Sequence, residues 1–284
     1  MKYEQRLEMV RFAEAHGVKP AARQHGCQVK TVRKWLGRWR EANHARFQPF
    51  EQAQVDVKYL NDIPFYVQQM WRHGDLPRFQ YTWRDVKTGA VFLGFAKDLS
   101  EEHACCFVHA VSDHLSRAGT ALRGFATIQT DNGSEFSGAE RQLDKRRGFH
   151  HAVEHAIGAK HRFIPPGKKN YQADVESLHR RIEEEFFDLE TFRDHTEFYA
   201  KASAWQLWWN CTRKNFYKGK RSPDDILLQD APKRDPAVWL IPAIDLDRAM
   251  KKKMGTGGCY VPALPGFAPD LAHGRENSVI HSGL

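Results

Sequence analysis

Nowhere in the 284 residues does an apolar run approach the roughly 18 positions a membrane helix needs, which excludes a membrane span. Cysteine is scarce. The five present (Cys27, Cys105, Cys106, Cys211 and Cys259) form no CxxC pair and leave an odd one over. A secreted disulfide framework is thereby excluded, and a reducing cytoplasm is the expected location. The opening MKYEQRLEMV lacks the apolar core of a signal peptide, so no export leader is expected. Internal repeats and low-complexity tracts are also missing. With 41% hydrophobic and 27% charged residues the composition is that of a globular chain, and the length suggests about two domains.

Charge is present but unevenly placed. Residues 1–48 hold eleven Lys/Arg and four acids, so they carry +7 of the net +8. A cationic module thus precedes a nearly neutral body. Polyanion binding is one reading, since each neutralised phosphate releases counterions; a solvated helical surface is the other. The pattern favours the first. Leu7, Val10 and Phe12 or Ala13 recur at helical spacing, and Gly17 ends that helix. In VKPAARQHGCQVKTVRKWLGRW, Ala21 and Ala22 lie in a short helix, Gly26 in a turn, and Val32, Trp35 and Leu36 on the inner face of the next helix. This resembles a helix-turn-helix, in which Gln28, Lys30, Thr31, Arg33 and Lys34 face outward to meet DNA. The expected domains are a DNA-binding unit over 1–45, a polar linker over 46–52, a core over 53–230 and a partly disordered C-terminal extension over 231–284.

Beyond the linker the periodicity becomes that of strands. AQVDVKYL, FQYTWRDV and AVFLGFAKDL are β-favouring, with KTGA as the turn between the last two. A helix follows over EEHACCFVHAVSDHLSRAG, with Phe107, Ala110, Val111 and Leu115 on one face. GFATIQT and KHRFIPP are further strands, separated by an irregular or helical insertion around residues 138–158. NYQADVESLHRRIEEEFFD and residues 192–210 read as helices, the latter with a stripe of Phe198, Ala202, Trp205 and Trp209. The expected class is α/β, a mixed five-stranded sheet flanked by helices and preceded by a small all-α domain.

Three acids stand out. Asp56 interrupts an apolar strand, where an unpaired charge is costly. Asp131 follows the strand GFATIQT in the sharp turn TDNGSEF, and Glu176 lies on a helix. Two strand carboxylates and one helix carboxylate can gather around hard divalent cations, and Mg²⁺ prefers such oxygen ligands. Two ions about 3.5–4 Å apart stabilise the attacking and leaving oxygens of an in-line phosphoryl displacement. Each acid also has a plainer reading, as a turn residue at Asp131 and a solvated helix face at Glu176.

Taken together, VDVKYL, TDNGSEF and PPGKKNYQADVESLHRRIEEEF resemble the DDE transposases of insertion sequences and the retroviral integrases. WWNCTRKNFYKGKRSPDDIL adds Trp209, Asn210, Arg213, Ser222 and Pro223 to the likeness, which spans roughly residues 50–230. The resemblance implies an RNase H-like core that nicks DNA ends and joins the freed 3′-hydroxyl to target DNA. It implies Asp56, Asp131 and Glu176 as catalytic, metal-binding residues holding two Mg²⁺, with Mn²⁺ as a substitute. Gln172 and Arg180, four residues either side of Glu176, are expected to touch DNA, as are Lys168 and Lys169 before the helix. Asn132 and Glu135 are expected to shape the turn around Asp131. The implied partners are double-stranded DNA, at transposon ends and target, and further copies of the chain assembled on it. The implied setting is a prokaryotic, nucleoid-associated cytoplasm.

The spacing between Asp131 and Glu176 is longer than the family commonly shows, which leaves Asp174 and Glu183 as fallbacks. His103, Cys105, Cys106 and His109 fit helix packing better than zinc, because adjacent cysteines on a helix point about 100° apart. Asp85 is a candidate for a supporting role only, and His150, His151 and His155 read as a polar surface near DNA. A DNA-binding regulator on a silent scaffold, and a nuclease without strand transfer, are the competing readings.

Overall fold

The computed structural model describes residues 3–44, 46–120, 122–137, 148–165 and 172–256. Three helices come first: α1 (Tyr3–His16), α2 (Val18–Gln24) and α3 (Val29–His44). They close over a small core of Met9, Val10, Ala13, Ala21, Ala22, Val32 and Leu36. Gly26 turns the chain between α2 and α3 with φ +56°, where a side chain would be strained.

The body then alternates strands and helices: β1 (Gln52–Tyr59), α4 (Pro64–Arg72), β2 (Phe79–Asp85), β3 (Val91–Ala96), α5 (Glu101–Arg117), β4 (Thr127–Thr130), α6 (Ser134–Ser137), α7 (Phe149–His151), β5 (Lys160–Phe163), α8 (Ala173–Ile182), α9 (His195–Cys211), α10 (Pro223–Asp230), β6 (Ile244–Asp245) and α11 (Leu246–Thr256). Helices α7 and α8 each run on into a π-helical turn, Ala152–Ile157 and Glu183–Phe187. The six strands form one mixed sheet in the order β5-β4-β1-β2-β3-β6. β1, β2 and β3 are antiparallel neighbours, while β4, β5 and β6 join in parallel.

Five strands fall where the sequence places them, and the sheet has a sixth. β6 is only two residues long and comes from the expected extension, paired with β3 through Gly94 and Phe95. Around it Val238, Trp239, Ile241, Leu246 and Ala249 are buried in the main core. The chain from 236 to 250 is therefore packed with the body, and the rest of the expected, partly disordered extension from 257 to 284 lies outside the described residues. The linker is anchored as well. Phe50 is buried, and its N–H donates to Asp85 Oδ1 at 3.0 Å. Asp85 also accepts from the N–H and hydroxyl of Thr88, so it fixes the turn at the far end of the sheet from Asp131.

Period-two alternation divides the faces. Ala53, Val55 and Val57 of β1 pack with Tyr81, Trp83, Phe92 and the α5 face of Phe107, Val111 and Leu115. A Cβ on Gly94 would lie 2.7 Å from the Phe107 ring, so glycine is what lets α5 lie this close to β3. On the opposite face, Val91, Leu93 and Phe95 of β3 meet Phe186, Phe187, Phe198, Trp205 and Trp209. The outer edge of β3 is capped by side chains of α9 rather than by a full strand. Asn210 Oδ1 accepts from Val91 N–H and its amide donates to Val91 C=O, both at 2.8 Å. Gln206 accepts from Leu93 N–H at 2.7 Å and donates to Ile241 C=O at 2.7 Å. Asn210 thus covers a sheet edge. Ser222 likewise forms a capping box with Asp225 at the start of α10. Among the described residues no helix is long and apolar enough to cross a membrane.

Asn210→Leu should strip two buried backbone groups of their partners and lower unfolding free energy by about 2–4 kcal/mol. Urea denaturation measures this directly; an unchanged midpoint would show that the edge cap contributes nothing.

Candidate active site

Alternation gives β1 a polar side as well as an apolar one. Gln52, Gln54, Asp56 and Lys58 share it, next to Gln80 and Thr82 of β2 and Gln129 of β4. Gln54, Gln80, Thr82 and Gln129 are nevertheless buried. Burying such groups is tolerable only where they find partners, and α8 supplies several. Gln54 Oε1 accepts from Val175 N–H at 3.0 Å, Gln172 Nε2 donates to Val55 C=O at 3.3 Å, and His179 Nε2 meets Thr82 Oγ1 at 2.9 Å. Gln129 Oε1 accepts from Gln52 Nε2 at 3.3 Å.

This clamp brings the acids together. In the parallel pair, Gln54 of β1 lies opposite Gln129 of β4. Two residues on along each chain, and on the same side, come Asp56 and Asp131. Asp131 follows the carboxyl end of β4, where α/β sheets open toward ligands, and Asp56 lies partway along β1, two residues past its last parallel pair with β4. Asp131 Oδ1 accepts from Gly133 N–H at 2.9 Å, while Asn132 Nδ2 ties the turn to Ile164 C=O on the β5 side at 3.0 Å. Glu176 is exposed on α8, directly after Val175 and one turn past Gln172, whose bonds fasten the helix to β1.

The electrostatics record the convergence. Burial, the largest cause, and the charges of Asp131, Glu135 and Glu176 together lift the Asp56 carboxyl to about 8, against a lowering hydrogen bond from Val57 N–H. Glu135, which the sequence offers only as a turn residue, is itself buried, and its carboxyl is raised by burial and by Asp131. His179 is the other member the sequence reading passes over. Its Nδ1 lies 3.7 Å from Asp56 Oδ2, and burial, with Lys58 nearby, pushes the imidazole down to about 3, so it is neutral.

The fallback acids lead elsewhere. Glu183 pairs with Lys58 at 2.7 Å, and the charge of Asp174 acts on Arg84 and Lys218 instead of on Asp56. Gln172 is a correction: it is buried against β1 instead of lying outward with Glu176, because as the non-helical residue before α8 (φ −110°, ψ 21°) it does not obey four-residue helix spacing. Arg180 is exposed and pairs with Glu184 at 2.8 Å, whereas Lys168 and Lys169 lie outside the described residues. In the N-terminal unit Gln28, Lys30, Arg33 and Lys34 are exposed and Thr31 is half-buried. His150 meets His161 at 3.1 Å and Glu154 at 3.2 Å.

In kind, the donors fit a hard divalent cation: all are carboxylate oxygens, and like charges drive one another's proton affinity up. In spacing they form no closed cage, since among the described residues no three His, Cys, Asp or Glu side chains are arranged to hold an ion.

The raised Asp56 carboxyl has a signed consequence. The folded state holds its proton more tightly than the unfolded chain, so this stability is present below about pH 4 and is lost as pH rises toward about 8. In metal-free buffer Asp56→Asn should therefore stabilise the protein at pH 8, by on the order of 1–3 kcal/mol, and by less at pH 5. Urea melts at the two pH values test this, and equal effects would contradict it. The chain matches no family model and no curated protein, so the reading of this site rests on its own residues.

Proposed function

We propose that the protein is a DDE-type transposase or integrase, which binds the ends of a mobile DNA segment, cleaves a phosphodiester bond and joins the freed 3′-hydroxyl to target DNA. The observation that carries this reading is the placement of Asp56 and Asp131 on neighbouring strands, two residues past the Gln54–Gln129 pair, beneath the helix that carries Glu176; burial and the negative charge of these acids raise the Asp56 carboxyl. Acids from β1, the end of β4 and α8 press on one another across more than a hundred residues of chain. Acids that raise one another's proton affinity in this way are what metal-dependent phosphoryl transfer uses.

The fold supports the reading at a finer level. The order β5-β4-β1-β2-β3, with three antiparallel strands and then two parallel ones, supports the reading of an RNase H-like core with β6 added at one edge. The pair α2 and α3 around Gly26, with Ala22 and Val32 buried between them, supports a helix-turn-helix. On this reading Gln28, Lys30, Thr31, Arg33 and Lys34 meet a major groove.

Asp56, Asp131 and Glu176 are the residues that would hold Mg²⁺ or Mn²⁺, and two such ions would activate the attacking oxygen and neutralise charge at the phosphorus. The chain's other residues position. The Asp131–Gly133 turn fixes one carboxylate, and the contacts of Gln172 and Val175 with β1 fix the helix that carries Glu176. Arg180 lies one turn beyond Glu176 and can exchange Glu184 for a DNA phosphate. Lys168 and Lys169 are assigned to the DNA backbone. Since two DNA ends must be held together, the active form is an oligomer of this chain assembled on DNA.

A DNA-binding regulator with a silent core is the second reading, favoured by the open spacing of the carboxylates. Duplexes taken from the DNA flanking the coding sequence, incubated with Mg²⁺ or Mn²⁺, separate the two. Asp56→Asn and Glu176→Gln should each lower cleavage and joining by more than roughly a thousandfold while leaving duplex binding intact. Binding without cleavage by the wild-type chain would support the regulator, and cleavage without joining would support a plain nuclease.

A further inference from the structure

We propose that His179 is a positioning residue for Asp56, directing its Nδ1–H at the carboxylate while Thr82 and Gln80 fix the tautomer from behind. The proposal rests on the metal-dependent reading above and adds to it a means of holding the first acid.

Asp56 and Thr82 are direct cross-strand partners in the β1–β2 register. His179, three residues past Glu176 on the inner side of α8, sits over that pair and touches both. Its Nε2 is 2.9 Å from Thr82 Oγ1 and its Nδ1 is 3.7 Å from Asp56 Oδ2. Thr82 Oγ1 also receives a hydrogen bond from Gln80 Nε2 at 2.9 Å. A hydroxyl has one hydrogen, and with Gln80 donating to the oxygen that hydrogen is free for His179 Nε2. An imidazole that accepts at Nε2 has no hydrogen there and carries it on Nδ1, the nitrogen that faces Asp56. The 3.7 Å separation exceeds a direct hydrogen bond, but the N–H dipole still favours the carboxylate orientation that turns Oδ2 toward α8. Gln80 and Thr82 are fully buried and His179 nearly so, which removes competing water from the chain.

The histidine's two nitrogens can be replaced one at a time. In His179→Asn the amide nitrogen can occupy the Nδ1 position and keep a donor toward Asp56. In His179→Gln the longer amide reaches the Nε2 position and keeps Thr82 instead. Mn²⁺ affinity of the full chain, measured by electron paramagnetic resonance, should stay within about threefold of wild type for His179→Asn and fall about 10–100-fold for His179→Gln. Both substitutions lose one contact, so melting temperatures should fall by similar amounts; a purely structural histidine would leave the two variants alike in Mn²⁺ affinity too. The ¹⁵N shifts of the His179 ring should show a protonated Nδ1. Equal Mn²⁺ affinities for the two variants, or a protonated Nε2, would overturn the proposal. Asp56→Ala serves as the control: loss of Mn²⁺ binding there with no Asn–Gln difference defeats the His179 role alone, whereas wild-type Mn²⁺ binding by Asp56→Ala defeats the metal reading and the proposal together.

Discussion

A row of amides, a hydroxyl and a carboxylate lies buried on one side of a β-sheet, and a single helix has to answer it. Gln54, Gln80, Thr82 and Gln129 lie at the centre of the molecule, where apolar side chains would pack without any need for partners. Val175 N–H and His179 of α8 give Gln54 and Thr82 their partners, Gln80 and Gln129 bond within the sheet, and Gln172 adds a bond to the Val55 carbonyl. A buried polar group without its partner costs about 1–3 kcal/mol, so α8 can occupy few alternative positions. Shifting it by one residue would exchange these groups for the wrong ones. The bonds that make the polar face tolerable are therefore also what set Glu176 near Asp56 and Asp131.

The other half of the sheet anchors the clamp. The π-helical turn Glu183–Phe187 that extends α8 lets consecutive side chains serve different ends: Phe186 and Phe187 are both buried, Glu183 reaches Lys58, and Glu185 forms a two-pronged pair with Arg213. Arg213 in turn lies 4.2 Å over the Trp209 ring, next to Asn210 and its cap on β3. A continuous set of contacts thus runs from the sheet edge to the acids. Trp209, Asn210 and Arg213, which carry part of the family resemblance, hold the scaffold beside α8, and Ser222 caps α10.

How far the sequence could be read follows from length and periodicity. The strands around β1 to β5 were legible because alternation and bounding turns mark them, and α5 and α9 because their apolar stripes are long. β6 has two residues, too few to show any period, and depends on β3 for its existence. α4 was missed: it has nine residues and starts on a proline. Asp56 could be singled out because an acid among valines is costly. The inward turn of Gln172 could not, since it depends on the residue before α8 leaving helical dihedrals. His179 was hidden for a related reason. Four-residue spacing from Glu176 marks the outer neighbours, and the inward residue three along becomes visible only once β2 is known to lie beneath it.

What remains is why a chain would gather acids where it could have placed cations. Lys58 is on the same side of β1 as Asp56 but is taken by Glu183, and Arg180 and Arg181 both turn to Glu184. Among the described residues these cations pair with other acids, and Asp56 feels the charges of Asp131, Glu135 and Glu176 with the neutral imidazole of His179 beside it. Such an arrangement is destabilising by itself and adds nothing to the core. The burial that raises the Asp56 carboxyl also lowers the local dielectric, and a low dielectric strengthens the pull on any cation that enters. On the metal-dependent reading proposed above, a bound cation would offset that repulsion.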